Sequence, residues 1–129
     1  MQLMKYFILT TYLIISAFCL SQKAEFFVKK RTITFPKTEE GEQLKYKYRI
    51  YNTGDAELII DSYVVACTCT KVTLPKKPIQ PGKFDFVEVV FDTNGKYYYQ
   101  DRLIQLMTNT RKKRHTLRFK VYVKPNKNN

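Results

Sequence analysis

The sequence has a single histidine and four glycines among 129 residues, so it holds little of the material from which most active sites are built. It contains no Gly-rich phosphate-binding loop and no paired-carboxylate motif. The histidine does not stand with a serine or cysteine and an orienting acid at a spacing that supports nucleophilic catalysis. We therefore expect neither an enzyme nor a cofactor-binding protein.

Acidic residues are also scarce, because 11 Asp and Glu face 23 Lys and Arg, which gives a formal net charge of +12 at pH 7. This excess favours contact with something anionic, such as an acidic protein partner, a membrane surface or an anionic glycan. The alternative is that a basic surface only keeps the protein soluble. No helix-turn-helix, zinc-finger or RRM motif is present, so we expect no nucleic-acid partner.

The first residues have the pattern of an export signal. A short basic stretch, residues 1–5, precedes the almost wholly apolar residues 6–20, and Cys19 and Ser21 place small side chains at −3 and −1 of a cleavage site. Two alternatives stay open. The apolar run is close to spanning length and could be retained as an anchor. Cys19 could be acylated, although Phe18 stands where a bacterial lipobox has a small residue.

We predict that residues 1–21 are a signal peptide, and that the exported protein resides in the periplasm or at the outer membrane of a Gram-negative bacterium. The remaining residues, 22–129, are enough for one hydrophobic core and too few for two. We therefore predict one domain over residues 22–125, followed by a disordered tail over residues 126–129.

Long helical periods are absent from the rest of the chain, which is rich in Tyr, Phe, Val and Ile. Residues 44–51 alternate apolar and basic side chains, as in an antiparallel strand with one buried face. Dense apolar runs within residues 56–66 predict a strand that is covered on both faces. Several such segments, separated by turns, predict an all-β fold, an antiparallel β-sandwich of about seven strands.

Two later strands carry more specific expectations. In residues 84–91 the apolar positions change phase after Phe86, which predicts a β-bulge. Asn94-Gly95 follows and is a favoured hairpin dipeptide. Residues 97–107 form the next strand, with four expected core residues, Leu103, Ile104, Leu106 and Met107.

Five short marks occur in a fixed order. They are Asn52-Thr53-Gly54, with Gly54 available for a positive φ in a turn, then Cys67-Thr68-Cys69-Thr70, Pro81-Gly82, Asp92-Thr93 and Thr108-Asn109. Over residues 33–123 the chain resembles a bacterial domain-of-unknown-function family of exported single-domain proteins, whose pattern is N-x-G, C-G-C-T, P-G and a D-T-like turn. The resemblance implies an immunoglobulin-like sandwich, related to Hydin and major-sperm-protein domains, that binds or scaffolds. The chain departs from the family pattern at two places. Thr68 replaces the usual glycine between the cysteines, and Tyr97-Tyr98-Tyr99 displaces the glycine that the family commonly has after the D-T turn.

Cys67 and Cys69 are the residues with the most pointed chemistry, since in an extended strand their side chains share one face. Three fates are open. They could form a tight disulfide in an oxidising compartment, pack as buried thiols, or supply half of a metal site that His115 and carboxylates would have to complete.

Two further groups are candidates for contact with a partner. Arg111, Lys112, Lys113 and Arg114 form the densest basic cluster, in a loop that is either an interaction site or a solvated hairpin tip. Tyr97, Tyr98 and Tyr99 combine strand propensity with the enrichment of tyrosine at interfaces. If Tyr98 points outward, strand alternation predicts that its two neighbours point inward.

The sequence thus predicts a non-catalytic protein-binding or scaffolding module of the bacterial cell envelope, which docks on a partner protein through a sheet edge or loops. The alternative hypothesis is a thiol redox or metal-binding protein that acts through Cys67 and Cys69.

Overall fold

The computed structural model describes residues 1–16 and 21–128, and the predictions that concern Phe18 and Cys19 lie outside the described residues. One helix and nine strands are present in this part of the chain. They are α1 Gln2–Ser16, β1 Phe26–Val28, β2 Thr32–Thr34, β3 Thr38–Glu39, β4 Gln43–Asn52, β5 Ile60–Val65, β6 Thr70–Thr73, β7 Phe84–Asp92, β8 Tyr98–Thr108 and β9 Arg114–Lys124. Over residues 1–16 and 21–128, no helix combines the length and apolar character needed to cross a membrane.

The strands form two sheets that pack as a sandwich, which confirms the predicted fold. The first sheet has the order β1-β4-β7-β6, and all its pairs are antiparallel. The second has the order β2-β9-β8-β5, with β3 also paired to β9. β2 and β3 run parallel to β9, because the chain leaves the first sheet after β1 and joins the second one beside its last strand.

The core lies between the two sheets and is built by alternation along each strand. In β9, every second side chain from His115 to Val123 is buried. The largest fully buried side chains include Tyr48 and Phe91 from the first sheet and Phe119 from the second. The hydroxyl of Tyr48 donates a hydrogen bond to the carbonyl of Arg118 at 2.8 Å, so it links the two sheets across the core.

β5 is not the doubly covered strand that its apolar runs predict. It pairs only with β8 and is the edge of the second sheet. Val64 is 53% exposed and Tyr63 39% exposed. Before β5, Leu58 forms an isolated bridge with Ile79 and is buried, which accounts for part of the apolar run.

The predicted bulge in β7 is also wrong. β4 and β7 pair in unbroken register from Gln43 opposite Asp92 to Tyr51 opposite Phe84. The phase change has another cause, since Phe84 and Phe86 lie on the outer face whereas the buried residues of β7 begin at Val87. The register shift of this fold occurs in β5, between Ile60 and Ser62.

Two smaller expectations fail for related reasons. Leu103 is 51% exposed, since alternation in β8 places Ile104 and Leu106 in the core and Leu103 on the outer face. Asn94-Gly95 makes a turn, with Gly95 at φ 68°, but not a hairpin. The strands that it joins, β7 and β8, belong to different sheets.

Gly82 and Gly54, the two glycines of the sequence motifs, are needed for different structural reasons. Gly82 has φ 74° in a turn that Lys83 closes by donating to the carbonyl of Gln80 at 3.0 Å, as a Pro-Gly pair favours. Gly54 does not have a positive φ, contrary to our expectation. Its Cβ would lie 2.1 Å from the carbonyl oxygen of Lys23, so this position needs glycine for close backbone approach.

Candidate binding surface

Cys67 and Cys69 lie in a turn between β5 and β6 and are joined by a disulfide in the structure. The premise of an extended strand is wrong here, because the N–H of Thr70 donates to the carbonyl of Cys67 at 3.1 Å and tightens the chain. The turn brings the two Cα atoms to 5.1 Å, within the range that a disulfide accepts. Both residues are half-buried. The disulfide restrains the backbone immediately before β6, which begins at Thr70.

Tyr97, Tyr98 and Tyr99 are all exposed, by 46%, 59% and 84%, so the expectation that only Tyr98 points outward is wrong. The backbone explains the difference, since Tyr98 has φ 64° and strand alternation does not extend back to Tyr97. The rings of Tyr98 and Tyr99 pack on Tyr122, with centroids 6.3 and 5.0 Å away. The charge of Glu40, together with hydrogen bonding to it, raises the pKa of Tyr97 above its ordinary value.

The basic cluster lies where the sequence predicts, at the tip of the β8–β9 hairpin. Arg111, Lys112 and Lys113 are exposed in the loop, and Arg114 is the first residue of β9.

His115 lies beneath this loop and is buried. Its Nε2 is 2.8 Å from the hydroxyl of Thr110, and its ring stacks on Phe26 with centroids 4.2 Å apart. Burial, then the charges of Arg31 and Lys112, lower the pKa of His115. In the part of the chain that the structure describes, no group of three or more His, Cys, Asp or Glu side chains could hold a metal ion.

The outer face of the first sheet carries an aromatic surface that was not predicted from the sequence. Four rings form a continuous row across β1, β4 and β7, the aromatic cluster Phe27, Tyr51, Phe84 and Phe86, with successive centroids 6.1, 5.5 and 5.7 Å apart. Phe27 and Phe84 are about half exposed, at 50% and 48%. The guanidinium of Arg49 lies 4.6 Å from the centroid of Phe84 and 5.4 Å from that of Phe86. The change of phase of the apolar residues after Phe86 was the sequence signal that could have indicated this exposed aromatic face.

The backbone of β4 has one side without a strand partner. The N–H of Asn52 donates toward β7, to Lys83 at 2.9 Å, whereas the N–H of Thr53 donates toward β1, to Glu25 at 3.1 Å. Since successive residues of a strand direct their backbone groups to opposite sides, Lys45, Lys47 and Arg49 direct theirs away from β7.

β1 covers that side only opposite Ile50 to Asn52. We call residues 43–49 of β4, on the side away from β7, the free edge. Within residues 1–16 and 21–128, no strand pairs with the free edge.

The free edge is open because β1 ends at Val28 and the chain then crosses to the second sheet. The crossing leaves two cavities beside β4. One, of about 390 Å³, is lined by Lys29, Lys47 and Phe86 among others. The other, of about 550 Å³, lies between β2 and β4, where Ile33 and Tyr46 contribute to its lining. The free edge therefore combines unpaired backbone groups, basic side chains and space between the sheets.

Comparison with known structures supports the fold. The chain is similar to a protein of unknown function from Porphyromonas gingivalis W83, with a TM-score of 0.70 and 15% identity over 83% of this chain and 50% of that one. It is similar to the VesB protease of Vibrio cholerae, with a TM-score of 0.62 and 15% identity over 78% of this chain and 32% of that one. It is also similar to the ASH/PapD-like domain of human CEP192, with a TM-score of 0.57 and 14% identity over 83% and 89% of the two chains.

The chain thus spans half the length of the Porphyromonas protein and about a third of the length of the protease, and these similarities concern the fold alone. No curated protein matches the chain. Residues 26–123, which hold every strand from β1 to nearly the end of β9, match the family described as protein of unknown function (DUF1573). Because that match covers most of its length, the chain belongs to the DUF1573 family, and the family has an immunoglobulin-like β-sandwich in this member.

Proposed function

We propose that this domain is a non-catalytic binding module of the bacterial cell envelope that docks on a partner protein through the free edge of β4. The observation that carries the proposal is the row of outward backbone groups at Lys45, Lys47 and Arg49, which no strand covers in the described part of the chain. A sheet edge of this kind accepts an extended segment of another protein as an additional strand, with main-chain hydrogen bonds supplying affinity.

Two other edges of the sandwich, β6 and β5, are less suited to strand addition. β6 has four residues, and its outward-directed positions include Thr70 and Val72, whose side chains are buried. β5 is broken by the register shift between Ile60 and Ser62, and such irregularities protect an edge against pairing. The free edge of β4 is regular throughout, because its register with β7 is unbroken.

The envelope location rests on two features of the chain. Its first residues have the composition of an export signal, since an apolar run follows a short basic stretch. The disulfide between Cys67 and Cys69 suits an oxidising compartment outside the cytoplasm.

Site-specific photo-crosslinking in living bacteria tests the docking edge. With benzoylphenylalanine in place of Lys47, we expect an adduct of defined mass with an envelope protein. The same probe at Lys120, exposed on β9 of the other sheet, serves as the positional control and should not give that adduct.

A second substitution, Lys45→Pro, should abolish the adduct from position 47. The N–H of Lys45 faces the free edge, so proline there removes no hydrogen bond to β7, whereas it removes a backbone donor that strand addition needs. Thermal unfolding of the variant confirms that it is folded. Equal adducts from positions 47 and 120, or an adduct that survives Lys45→Pro in a folded protein, would overturn the proposal.

A further inference from the structure

We infer that the segment bound at the free edge alternates acidic and apolar side chains over about six residues. The inference rests on the proposed function and names the chemistry of the partner at that same edge. It follows from the two different environments that an added strand would meet on its two faces.

The outer face of the free edge is basic. Lys45, Lys47 and Arg49 point outward and are exposed, and Lys29 and Lys30 follow the end of β1 beside them. Glu88 offsets part of this charge, since a carboxylate oxygen of Glu88 lies 3.4 Å from the ammonium of Lys47. Side chains on neighbouring strands come within about 5 Å of each other. The outward residues of an added strand would therefore sit beside lysines, where Asp and Glu fit best.

The inner face of the same edge is apolar. Leu44, Tyr46 and Tyr48 point between the sheets, and Phe35 meets Tyr46 edge-to-face with ring centroids 6.4 Å apart. The cavity of about 550 Å³ lies in this gap, between β2 and β4, where apolar side chains line it together with Lys30, Lys45 and two threonines. The inward residues of an added strand would enter it, and apolar side chains there would extend the core.

Arg49 marks one end of the binding region. Its guanidinium is held against Phe84 and Phe86 by cation–π contacts, and it lies one residue before the point where β1 begins to cover β4. A guanidinium fixed in this way loses little freedom when it binds a carboxylate with two parallel hydrogen bonds.

A second copy of this chain is a poor occupant of the free edge. Two copies paired through β4 would bring rows containing Lys45, Lys47 and Arg49 together, and like charges on adjacent strands are destabilising. The same rows attract a segment of opposite charge, so charge complementarity selects an acidic partner.

Three synthetic peptides test the inference: Ac-(Glu-Val)₄-NH₂, Ac-(Lys-Val)₄-NH₂, and Ac-Glu₄-Val₄-NH₂, which has the composition of the first without its alternation. By calorimetry, we expect the alternating acidic peptide to bind and the other two to bind at least about tenfold more weakly. Binding should be lost in Lys45→Pro and should weaken as salt is raised.

Charge reversal provides the matched control. The variant Lys45→Glu/Lys47→Glu should invert the preference between the Glu-Val and Lys-Val peptides. The variant Lys112→Glu/Lys113→Glu changes the net charge by the same amount at the hairpin loop and should leave the preference unchanged.

Equal binding of the block and alternating peptides would overturn the inference, as would a preference that both charge-reversal variants alter equally. Binding of anionic phospholipid vesicles in place of the acidic peptide would also overturn it. If no peptide binds while the crosslink from position 47 persists, the inferred acidic and apolar alternation of the bound segment is wrong, but docking at the free edge is still supported. If that crosslink is absent as well, both fail.

Discussion

The side-chain amide of Asn52 is buried and makes four hydrogen bonds. Its Nδ2 donates to the carbonyls of Ala56 and Ile79 at 2.7 and 2.8 Å, and its Oδ1 accepts from the N–H groups of Gly54 and Glu25 at 3.0 and 3.3 Å. One side chain thus joins the end of β4, the turn after it, the residue before β1 and the loop before β7. These four hydrogen bonds explain why asparagine opens the motif Asn52-Thr53-Gly54.

The substitution Asn52→Ala should lower the free energy of unfolding by about 2–4 kcal/mol, because it leaves buried backbone groups without partners. Asn109→Ala is the matched control. The Asn109 side chain also bridges backbone groups, accepting from Ile59 at 2.9 Å and donating to Glu57 at 2.8 Å, but it is exposed. Water can replace its bonds, so the loss should be smaller, about 1 kcal/mol. Urea titration measures both, and equal losses would contradict the role of burial.

Other residue-level roles lay beyond the reach of the sequence. The hydroxyl of Thr93 donates to the carbonyl of Glu42 at 2.6 Å, although the two residues are 51 positions apart in the sequence. Only the folded structure shows that they are in contact. The need for glycine at Gly54 comes from the backbone of Lys23, which no local turn rule could indicate.

At the scale of the element, alternation identifies the two faces of a strand but not its neighbours. β4 follows its predicted pattern throughout, since its inner residues meet the core and its outer lysines meet solvent. β5 and β7 do not, because their extra apolar residues lie on outer faces, as Val64 and Phe84 do. Whether such a residue is covered depends on which sheet each strand joins, and that is a property of the whole topology. The free edge was unpredictable for the same reason.

The turn that holds Cys67 and Cys69 gives a prediction at this scale. Replacing both with serine should cost about 1–2 kcal/mol, because the disulfide closes a very short loop and restricts the unfolded chain little. β6 begins at the next residue but is also paired to β7 over its whole length, so the fold should persist.

The crosslink from position 47 should survive in this double variant, since the cysteines take no part in the proposed docking edge. Thermal unfolding and crosslinking check the two outcomes. A stable, exported double variant that loses the crosslink would instead support a function that depends on the cysteines.

At the scale of the whole molecule, the described buried apolar residues all lie between Ala24 and Val123. We therefore expect residues 22–129 to fold without the first 21. The melting temperature of this shorter chain should lie within about 4 °C of that of the full chain, a shift that corresponds to about 1 kcal/mol. Calorimetry on both chains measures the difference, and a much lower value would show that the first residues contribute to the core.

The pairing of β2 and β3 with β9 has a mechanical consequence. These strands run parallel to β9, which is the last of the described strands, whereas β2 and β3 precede most of the fold. When the two ends of the chain are pulled apart, β2 and β9 are drawn along their lengths in opposite directions. The hydrogen bonds between them are then loaded together, in shear, instead of opening one after another. Tension applied between the two ends of the domain is therefore resisted by this ladder as a whole.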